Sequence, residues 1–496
     1  MDMIYSIKPL FVILTPIIAG VLILLSGERH KNIREFWTIL ASIINFLLVL
    51  FMIPVILKGK SIEYTIIYLS QNVSLEFRVD ALSMIFASLA STLWIVVSVY
   101  SIGYMRGLKE HAQTRYFFSF TLAICGAVGV AFSANLLTLY IFYEILSIST
   151  YPLVVHKETP EAIRAGRKYL TYMLIGAAFI LFSIGLTYAL TGSLDFVAGG
   201  FIEGSGSKNL LRILFITFII GFGSKAAIMP IHEWLPSAMI APTPVSALLH
   251  AVAVVKAGVF CCIRVMHYVF GPQILSALNL WLMLAYVVSF TVIVANMIAI
   301  AQDNLKRRLA FSTINSLSVI LLGSALLSSD AIRGSMLFIA FHGFMKITLF
   351  LCAGAIYVKT HKELISEMDG IGRQMPITMA AFTIGALGLI GIPPVCGFIS
   401  KWYLCLGAVE AKQIIFLFVF LTSALLDAIY FFPIIYSAFF KESNSGNVHF
   451  NEAPMLVLAP IGFTSIVSVI LGIFPNFLLH FLNIANIAVQ NILRGI

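Results

Sequence analysis

The chain has 496 residues, of which 60% are hydrophobic and 11% are charged, and its formal net charge is +9 at neutral pH. Soluble globular domains carry about 25% charged residues, so this composition excludes an ordinary soluble protein. Long apolar segments without alternation also exclude a transmembrane β-barrel, and they predict an all-α, polytopic integral membrane protein.

Apolar segments of roughly 18 to 28 residues predict fourteen transmembrane helices, because about 20 apolar residues cross the hydrocarbon core. They are expected near residues 8–25, 36–57, 80–104, 115–133, 135–155, 167–190, 210–230, 243–268, 274–301, 308–328, 331–357, 375–408, 412–440 and 454–475. No small-residue cleavage site precedes Ser26, so the first segment is predicted to be a transmembrane helix and not a signal peptide. The tail after Phe474 is too interrupted to cross and is expected to lie against the bundle or the interface.

Basic residues cluster in the connections between helices. Of the 31 Lys and Arg residues, 17 fall in connections on one predicted side, 10 on the side that includes both termini, and four inside helices. Because Lys and Arg are retained on the cytoplasmic side, both termini are predicted to lie outside a cell (inner or plasma) membrane that the chain crosses many times. The positive charge is therefore a topology signal and predicts no nucleic-acid partner.

Two proline-containing stretches interrupt the apolar pattern. Four prolines follow Lys225 between residues 230 and 244, and residues 391–397 (GIPPVCG) precede Lys401. Irregular backbone is tolerated at membrane depth only where protein or a water-lined cavity surrounds it, so helices 7 and 12 are predicted to be broken. The breaks lie five helices apart, which favours two inverted five-helix repeats. The predicted units are residues 1–111 (helices 1–3), 112–268 (first repeat, helices 4–8), 269–440 (second repeat, helices 9–13) and 441–496 (helix 14 and tail).

Helix 5 carries a polar stripe around Glu144. Tyr140, Glu144, Ser147 and Tyr151 recur at spacings of four, three and four residues, which places them on one helix face. This face is expected to point into the bundle. A carboxyl group inside the membrane is either held neutral by hydrogen bonds or used in ion transfer, and the second interpretation is favoured because such groups are expensive in a bilayer.

Four lysines, Lys225, Lys256, Lys346 and Lys401, lie in the predicted membrane helices. A lysine there costs roughly 2.5 to 3.5 kcal/mol on insertion scales, which favours a functional role. Lys346 follows His342 by four residues, so the two share a helix face. For Lys401 the alternative is a side chain that reaches the membrane surface.

Two further side chains, those of His250 and Asp427, are each open to two interpretations. His250 shares a face with Ser246, and it is either a packed core residue or a proton relay. Asp427 forms a stripe with Ser423 and Tyr430 on helix 13. It is an accessory candidate that either neutralises a neighbouring cation or takes part in transfer.

The sequence predicts no catalytic, cofactor or metal site. The six cysteines lie in apolar segments without CxxC spacing, so disulfides, zinc sites and iron–sulfur clusters are not expected. A haem-attachment motif and a glycine-rich nucleotide fingerprint are also missing from the sequence. Any driving energy is therefore expected to come from other subunits.

Residues 225–250 (KAAIMPIHEWLPSAMIAPTPVSALLH) closely resemble the signature of antiporter-like subunits. These subunits occur in proton-pumping NADH dehydrogenase (complex I), in Mrp-type multisubunit sodium/proton antiporters and in membrane-bound hydrogenases. Similar motifs cover most of the chain, at residues 142–144 (FYE), 305–313 (LKRRLAFST), 342–346 (HGFMK) and 391–401 (GIPPVCGFISK). The chain departs from the pattern at Asn304, where such subunits often have Asp, although Asp303 precedes it.

The resemblance implies a role for each candidate residue. Glu144 and Lys225 would form the pair of helices 5 and 7, Lys256 would be the connecting lysine of helix 8, and Lys401 the terminal residue of helix 12. The path between them would be lined by His250, His342 and Lys346. The lysine at 256 and the chain length look most like the D-type subunit of Mrp antiporters and its counterparts in hydrogenase complexes.

The sequence therefore predicts a proton-translocating antiporter-like subunit of a multisubunit energy-converting membrane complex, either a membrane-bound hydrogenase, a related redox complex or an Mrp antiporter. Expected partners are the other subunits, the lipid bilayer and protons, with sodium left open; no cofactor is expected, and redox chemistry would belong to the other subunits. The alternatives are a free-standing secondary cation/proton antiporter and a non-conducting structural subunit. Retention of the buried lysines argues against the structural role, since a scaffold would be more stable with apolar residues there.

Overall fold

The computed structural model describes residues 3–442 and 450–493. Within these residues thirteen helices are long and apolar enough to cross a membrane. They are Lys8–Ser26, Lys31–Leu57, Ala81–Gly107, Gln113–Phe132, Leu136–Val154, Pro160–Thr191, Lys208–Ala226, Thr243–Ala277, Leu280–Ile300, Leu305–Ala325, Ser329–Thr360, Ile414–Phe440 and Met455–Ile473. They correspond to predicted helices 1–11, 13 and 14, and these numbers are kept below.

Predicted helix 12 consists of two shorter helices, Pro376–Ile390 and Gly397–Glu410. The peptide groups between them are held by protein: the Cys396 amide donates to the Ser468 carbonyl at 2.9 Å. The break in helix 12 is therefore confirmed, and it is packed against helix 14 as membrane depth demands.

Helix 7 ends at Ala226, and the chain resumes as a short helix Trp234–Ser237 followed by a 3-10 turn over Ala238–Ile240. The Trp234 indole donates to the Ser224 carbonyl at 2.8 Å, which ties the segment after the break to the last turn of helix 7. The break predicted after Lys225 is thus present. The inverted relation between the two repeats stays a prediction.

Helix 8 contains an irregularity that the sequence did not predict. Leu248–Val252 forms a π-helical turn, and Ala253 departs from helical geometry with φ −114° and ψ −80°. Such wide turns inside helices recur at functional sites. His250 lies inside the irregular turn and Lys256 follows it, so the angle between these side chains does not follow from the 3.6-residue period.

A small three-stranded sheet is the other unpredicted element. Its strands are β1 (Met3–Tyr5), β2 (Ser61–Ser70) and β3 (Val73–Val79); β1 runs parallel to β2, and β2 pairs antiparallel with β3. Ten residues of β2 are rich in Ile, Tyr and Thr, which favour strands, and Gln71–Asn72 turns the chain. The membrane part is all-α, as predicted, but the connection between helices 2 and 3 contains strands β2 and β3 and is not a simple loop.

Burial separates central from peripheral helices. The apolar spans of helices 8, 10 and 11 are completely buried, whereas only 33% of the span of helix 13 is. Helices 3 and 4 are also largely enclosed, at 89% and 83%. Ionisable residues of helices 8 and 11 therefore lie at the centre of the bundle, where they have no route to lipid or water except along the protein.

The tail forms a final helix, Phe481–Leu493, which packs on helices 3 and 11. The Phe481 ring meets the edges of Phe341 and Phe344, with centroids 6.1 and 6.5 Å away. The prediction that this segment lies against the bundle is confirmed.

Candidate functional site

Lys225 lies in the last turn of helix 7 and is fully buried. Its Nζ donates to the Tyr143 carbonyl at 2.5 Å and lies 3.2 Å from the centroid of the Tyr143 ring. Ser147 donates to the same carbonyl at 3.0 Å, one turn further along helix 5. A backbone oxygen and an aromatic face therefore hold the ammonium group, and Tyr143 joins the site as a residue that the sequence analysis missed.

Glu144 lies beside this lysine without bonding to it. The two are close enough to attract each other, but among the described residues no ion pair within 4.0 Å joins them. Glu144 Oε1 is buried and has no hydrogen-bond partner in the protein. Contact between the two charges therefore needs a bridging group or a change of rotamer.

The polar stripe of helix 5 does not point into the bundle as predicted. Ser147 is buried, but Tyr140, Glu144 and Tyr151 are only half-buried, and the neighbouring Ile148 is 67% exposed. Helix 5 lies at the periphery of the bundle, so part of its polar face is in contact with the surroundings of the chain and not with other helices of the bundle. Periodicity finds a shared helix face but cannot say which neighbour that face meets.

At the centre of the bundle lie Lys256, His250 and His342. All three are fully buried, and Lys256 Nζ and both nitrogens of each imidazole have no hydrogen-bond partner in the protein. The His250 ring packs against Phe350 with centroids 4.7 Å apart. An unsatisfied buried polar group costs about 1 to 3 kcal/mol, so these nitrogens need hydrogen-bond partners that the described side chains do not supply.

Beyond this centre, direct hydrogen bonds join helices 10, 11, 12 and 13. Lys346 Nζ donates to Ser312 Oγ at 2.8 Å, and the Tyr430 hydroxyl lies 2.8 Å from the same oxygen. The Tyr430 hydroxyl also contacts Asp427 Oδ1. Asp427 Oδ2 accepts from Lys401 Nζ at 2.9 Å. We call these five residues the hydroxyl chain; it connects the two lysines without a gap.

Asp427 is the counter-ion of Lys401. Their side chains are 3% and 13% exposed, so the pair is shielded from solvent. Lys401 also donates to the carbonyl of Ile390 at 3.3 Å, the last residue of the first half of helix 12. The helix break thus supplies a free carbonyl to the ammonium group. The alternative that Lys401 reaches the membrane surface is wrong, because the side chain is turned towards helix 13.

Helix 10 supplies two residues that the sequence analysis did not select. Ser312 belongs to the hydroxyl chain, and Asn315 donates to Asp427 Oδ1 at 3.0 Å while accepting from Ser423 at 2.9 Å. Ser312, Asn315 and Ser316 recur at helical spacing in a fully buried helix. That polar stripe was the available signal.

A second buried ion pair lies away from this line of residues. Arg264, near the end of helix 8, binds Asp80 through two bonds of 2.5 and 3.0 Å and donates to Ser83 at 2.9 Å. Its guanidinium group also lies 4.3 Å from the centroid of the Tyr268 ring. Burial alone would raise the pKa of Asp80, but the neighbouring Arg264 charge holds it below its usual value of 3.8. All its partners are fixed, which indicates a structural clamp between helices 3 and 8.

The fold and this arrangement define a polytopic membrane protein whose interior carries a line of ionisable groups suited to proton transfer. The transmembrane model of NADH:quinone oxidoreductase and Mrp antiporters matches residues 133–427, and the model of the N-terminus of complex I chain 5 matches residues 67–117. The chain belongs to this family of antiporter-like membrane subunits.

Similar proteins include NADH-quinone oxidoreductase subunit N of Desulforudis audaxviator, 33% identical over 420 residues, which cover 81% of this chain and 82% of the relative. F(420)H(2) dehydrogenase subunit L of Methanosarcina mazei is 31% identical over 434 residues, which cover 79% of this chain and 63% of that protein. Both names denote subunits of larger complexes.

Solved structures share the fold at low identity. A chain of the Mrp complex from Dietzia sp. DQ12-45-1b has a TM-score of 0.86 and 19% identity, covering 98% of this chain and 97% of that one. A chain of the archaeal membrane-bound sulfane sulfur reductase has a TM-score of 0.88 and 22% identity, covering 99% of this chain and 99% of that one. A chain of respiratory complex I from Thermus thermophilus has a TM-score of 0.75 and 22% identity, covering 94% of this chain and 98% of that one. The predicted family is thus confirmed, whereas the narrower likeness to an Mrp D-type subunit stays a prediction.

Proposed function

We propose that this chain carries protons across the membrane as one subunit of an energy-converting complex. The proposed path begins at Glu144 and Lys225, continues through the buried groups of helices 8 and 11, and ends at Lys401. Its central members are Lys256, His250, His342 and Lys346. Family membership supports the class of function, and the observation that carries the path is the hydroxyl chain.

The Tyr430 hydroxyl has a single proton and reaches both Ser312 Oγ and Asp427 Oδ1, so it donates to one of them at a time. In the proposed transfer state Tyr430 donates to Asp427, and the Ser312 hydroxyl turns to donate to Tyr430 while it accepts from Lys346. In this order three successive protons point from Lys346 towards Asp427. A proton released by Lys346 can therefore reach Asp427 by one concerted shift, without water.

This transfer changes the state of Lys401. When Asp427 takes up the proton, it becomes a neutral carboxylic acid, and Lys346 becomes a neutral amine. Lys401 then stands as an ammonium group without a counter-ion in a site shielded from solvent, which favours release of its proton. Asp427 then passes its proton to the neutral Lys401 amine across their 2.9 Å contact, which restores the ion pair, and Lys346 takes up the next proton from the first half of the path. Asp427 is therefore a participant in our proposal and not only an accessory group.

The first half of the path needs water. Neighbouring helix axes lie about 8 to 10 Å apart, so Lys225, Lys256 and the two histidines cannot all meet directly. Their nitrogens lack protein partners at the bundle centre, apart from Lys225, which Tyr143 holds. Bridging waters are nearly as effective as direct hydrogen bonds and supply the missing links.

The proposed setting is a cell membrane with both termini outside, with residues 112–268 and 269–440 as the two repeats. Moving one charge against 100 mV requires about 2.3 kcal/mol. Other subunits of the complex would supply this energy, since the relatives named above are subunits of redox complexes. Protons are the proposed ion, and sodium is left open.

Replacement of Ser312 tests the hydroxyl chain. Ser312→Ala removes the oxygen that joins Lys346 to Tyr430, so we expect proton uptake by vesicles containing the whole complex to fall at least about tenfold. Ser316→Ala is the matched control, because Ser316 is buried one turn away and bonds only to the Ser312 backbone carbonyl. Normal uptake by an assembled Ser312→Ala complex, or an equal loss in both variants, would contradict the proposed path.

A further inference from the structure

Three metal-ligating side chains meet outside the proton path, where two connections between helices come together. Glu110 and His111 lie in the connection between helices 3 and 4, and His156 lies in the connection between helices 5 and 6. One ligand atom from each residue can be chosen so that all three lie within 4.8 Å of one another. Two imidazoles and a carboxylate are the donor set that divalent transition metals prefer.

His156 is the fixed member of this group. Its side chain is fully buried, and neither ring nitrogen has a hydrogen-bond partner in the protein. Its Nε2 points towards Glu110, 3.8 Å from Oε2, and its ring stacks on His111 with centroids 4.9 Å apart. Tyr116 supports the other side of the ring, edge-on at 5.7 Å. A buried imidazole that is held in place without a hydrogen bond is an unused electron-pair donor.

We propose that Glu110, His111 and His156 bind a divalent transition-metal ion of the Zn²⁺ class, with water at a fourth position. Three protein ligands and one open position form a familiar zinc arrangement. The ion joins the connection before helix 4 to the connection before helix 6, and so clamps two helix pairs on one face of the membrane.

The ligands need a modest movement to close on the ion. Bonds of about 2.0 to 2.2 Å in a tetrahedron place ligand atoms about 3.3 to 3.5 Å apart, so the present spacing must shrink by roughly 1 Å. His156 cannot move, but the His111 side chain is 49% exposed and that of Glu110 is 15% exposed. Rotation of these two side chains on a short connection supplies the movement.

The surrounding charges permit this ion. Arg115 is a neighbouring cation, and it is already engaged by Glu158 at 2.5 Å and by the His156 carbonyl at 3.2 Å. Glu158 also lies 3.9 Å from His111 Nε2. Its negative charge offsets Arg115, and its position beside His111 keeps the site from becoming positive.

The test uses the full-length chain in lipid nanodiscs, purified through a tag without histidine. Co²⁺ is the probe, because four-coordinate cobalt shows intense visible absorption bands. We expect one Co²⁺ per chain, displaced by Zn²⁺ and not by Mg²⁺, which prefers oxygen ligands. His111→Ala and Glu110→Gln should each weaken Zn²⁺ binding at least about tenfold.

His30→Ala is the matched control, because His30 is an exposed histidine in the connection between helices 1 and 2. It should bind Zn²⁺ like the wild type, and zinc should raise the melting temperature of the wild type but not that of His111→Ala. Unchanged affinity in both ligand variants would overturn the site. A comparable loss in His30→Ala would overturn it too, because binding would then come from scattered surface histidines.

Discussion

Two hydroxyl groups, those of Ser312 and Tyr430, join the lysines of helices 11 and 12. Both are fully buried, and each bonds to one charged side chain as well as to the other hydroxyl. In a low-dielectric interior such bonds strengthen one another, and removal of one member leaves its neighbours unsatisfied. The proposed path therefore depends on neutral residues as much as on lysines.

Tyr430→Phe keeps the ring and removes one hydroxyl group. We expect proton uptake by the complex to fall at least about tenfold while the complex still assembles, because the path from Lys346 to Asp427 is cut. Tyr436→Phe is the control, since Tyr436 is on the same helix and 60% exposed. Full activity of Tyr430→Phe would show that protons reach Lys401 by another route.

Substitution of Lys225 separates a proton carrier from a structural cation. Arginine keeps the charge but stays protonated, whereas a buried lysine can release its proton. We expect Lys225→Arg and Lys225→Ala to assemble and to fail alike in proton uptake by vesicles containing the complex. An assembled Lys225→Arg complex with near-normal uptake would leave Lys225 as a structural residue.

At the scale of the element, irregular backbone and polar side chains occur together. The break in helix 12 frees the Ile390 carbonyl for Lys401, and the wide turn of helix 8 contains His250. A helix break leaves carbonyl groups without an intrahelical partner, and at Ile390 one of them is available to the Lys401 ammonium group. The interrupted helices thus help to define the site.

The start of helix 3 illustrates a polar contact with a structural role. Asp80→Asn keeps a side chain that can cap the helix, but it leaves the buried Arg264 charge uncompensated, and we expect a loss of about 3 to 5 kcal/mol in stability. Glu161→Gln is the control, since its i,i+3 pair with Arg164 is exposed and worth at most about 1 kcal/mol. Thermal unfolding in detergent measures both, and equal melting temperatures would contradict the clamp.

The pH dependence of this clamp follows from the lowered pKa of Asp80. A carboxyl group with a lowered folded-state pKa contributes its full stability above the unfolded value of 3.8, and loses it as the pH falls through the folded value. The difference in melting temperature between wild type and Asp80→Asn should therefore stay constant from pH 7 to about 5. A difference that shrinks within this range would mean that Asp80 is already taking up protons there.

At the scale of the whole molecule, the two ends of the proposed proton path differ. Lys401 and Asp427 are enclosed by the chain itself, whereas Glu144 stands at the rim of the bundle beside the exposed Ile148. The molecules that pack against helix 5 therefore form part of the environment of Glu144. This agrees with a subunit that works within a complex, and it makes the proton affinity of Glu144 sensitive to its neighbour.

The topology can be tested independently of transport. The distribution of Lys and Arg predicts that the connection between helices 5 and 6 faces the cytoplasm. Lys157→Cys in that connection should resist membrane-impermeant thiol reagents in intact cells and react after the cells are opened. The six native cysteines lie in apolar segments and serve as the background control in the unsubstituted chain. Ready labelling in intact cells would reverse the orientation.

Much of this protein follows from the sequence because the bilayer imposes a simple rule. A segment of about 20 apolar residues must become a helix there, so helix number, the broken helix 12 and the rarity of buried charges can be predicted from local composition. The buried lysines stood out for the same reason. Motifs such as residues 225–250 then identified the family.

What only the tertiary structure decided is which polar groups meet. Asp427 pairs with Lys401 across two helices, Arg264 reaches Asp80 from 184 positions away in the chain, and His156 meets His111 across two connections. Periodicity assigns a residue to a helix face, but it does not reveal the neighbour of that face, and for helix 5 it wrongly implied the bundle interior. Contacts between distant segments depend on how the helices pack, which is a property of the whole chain and not of any one segment.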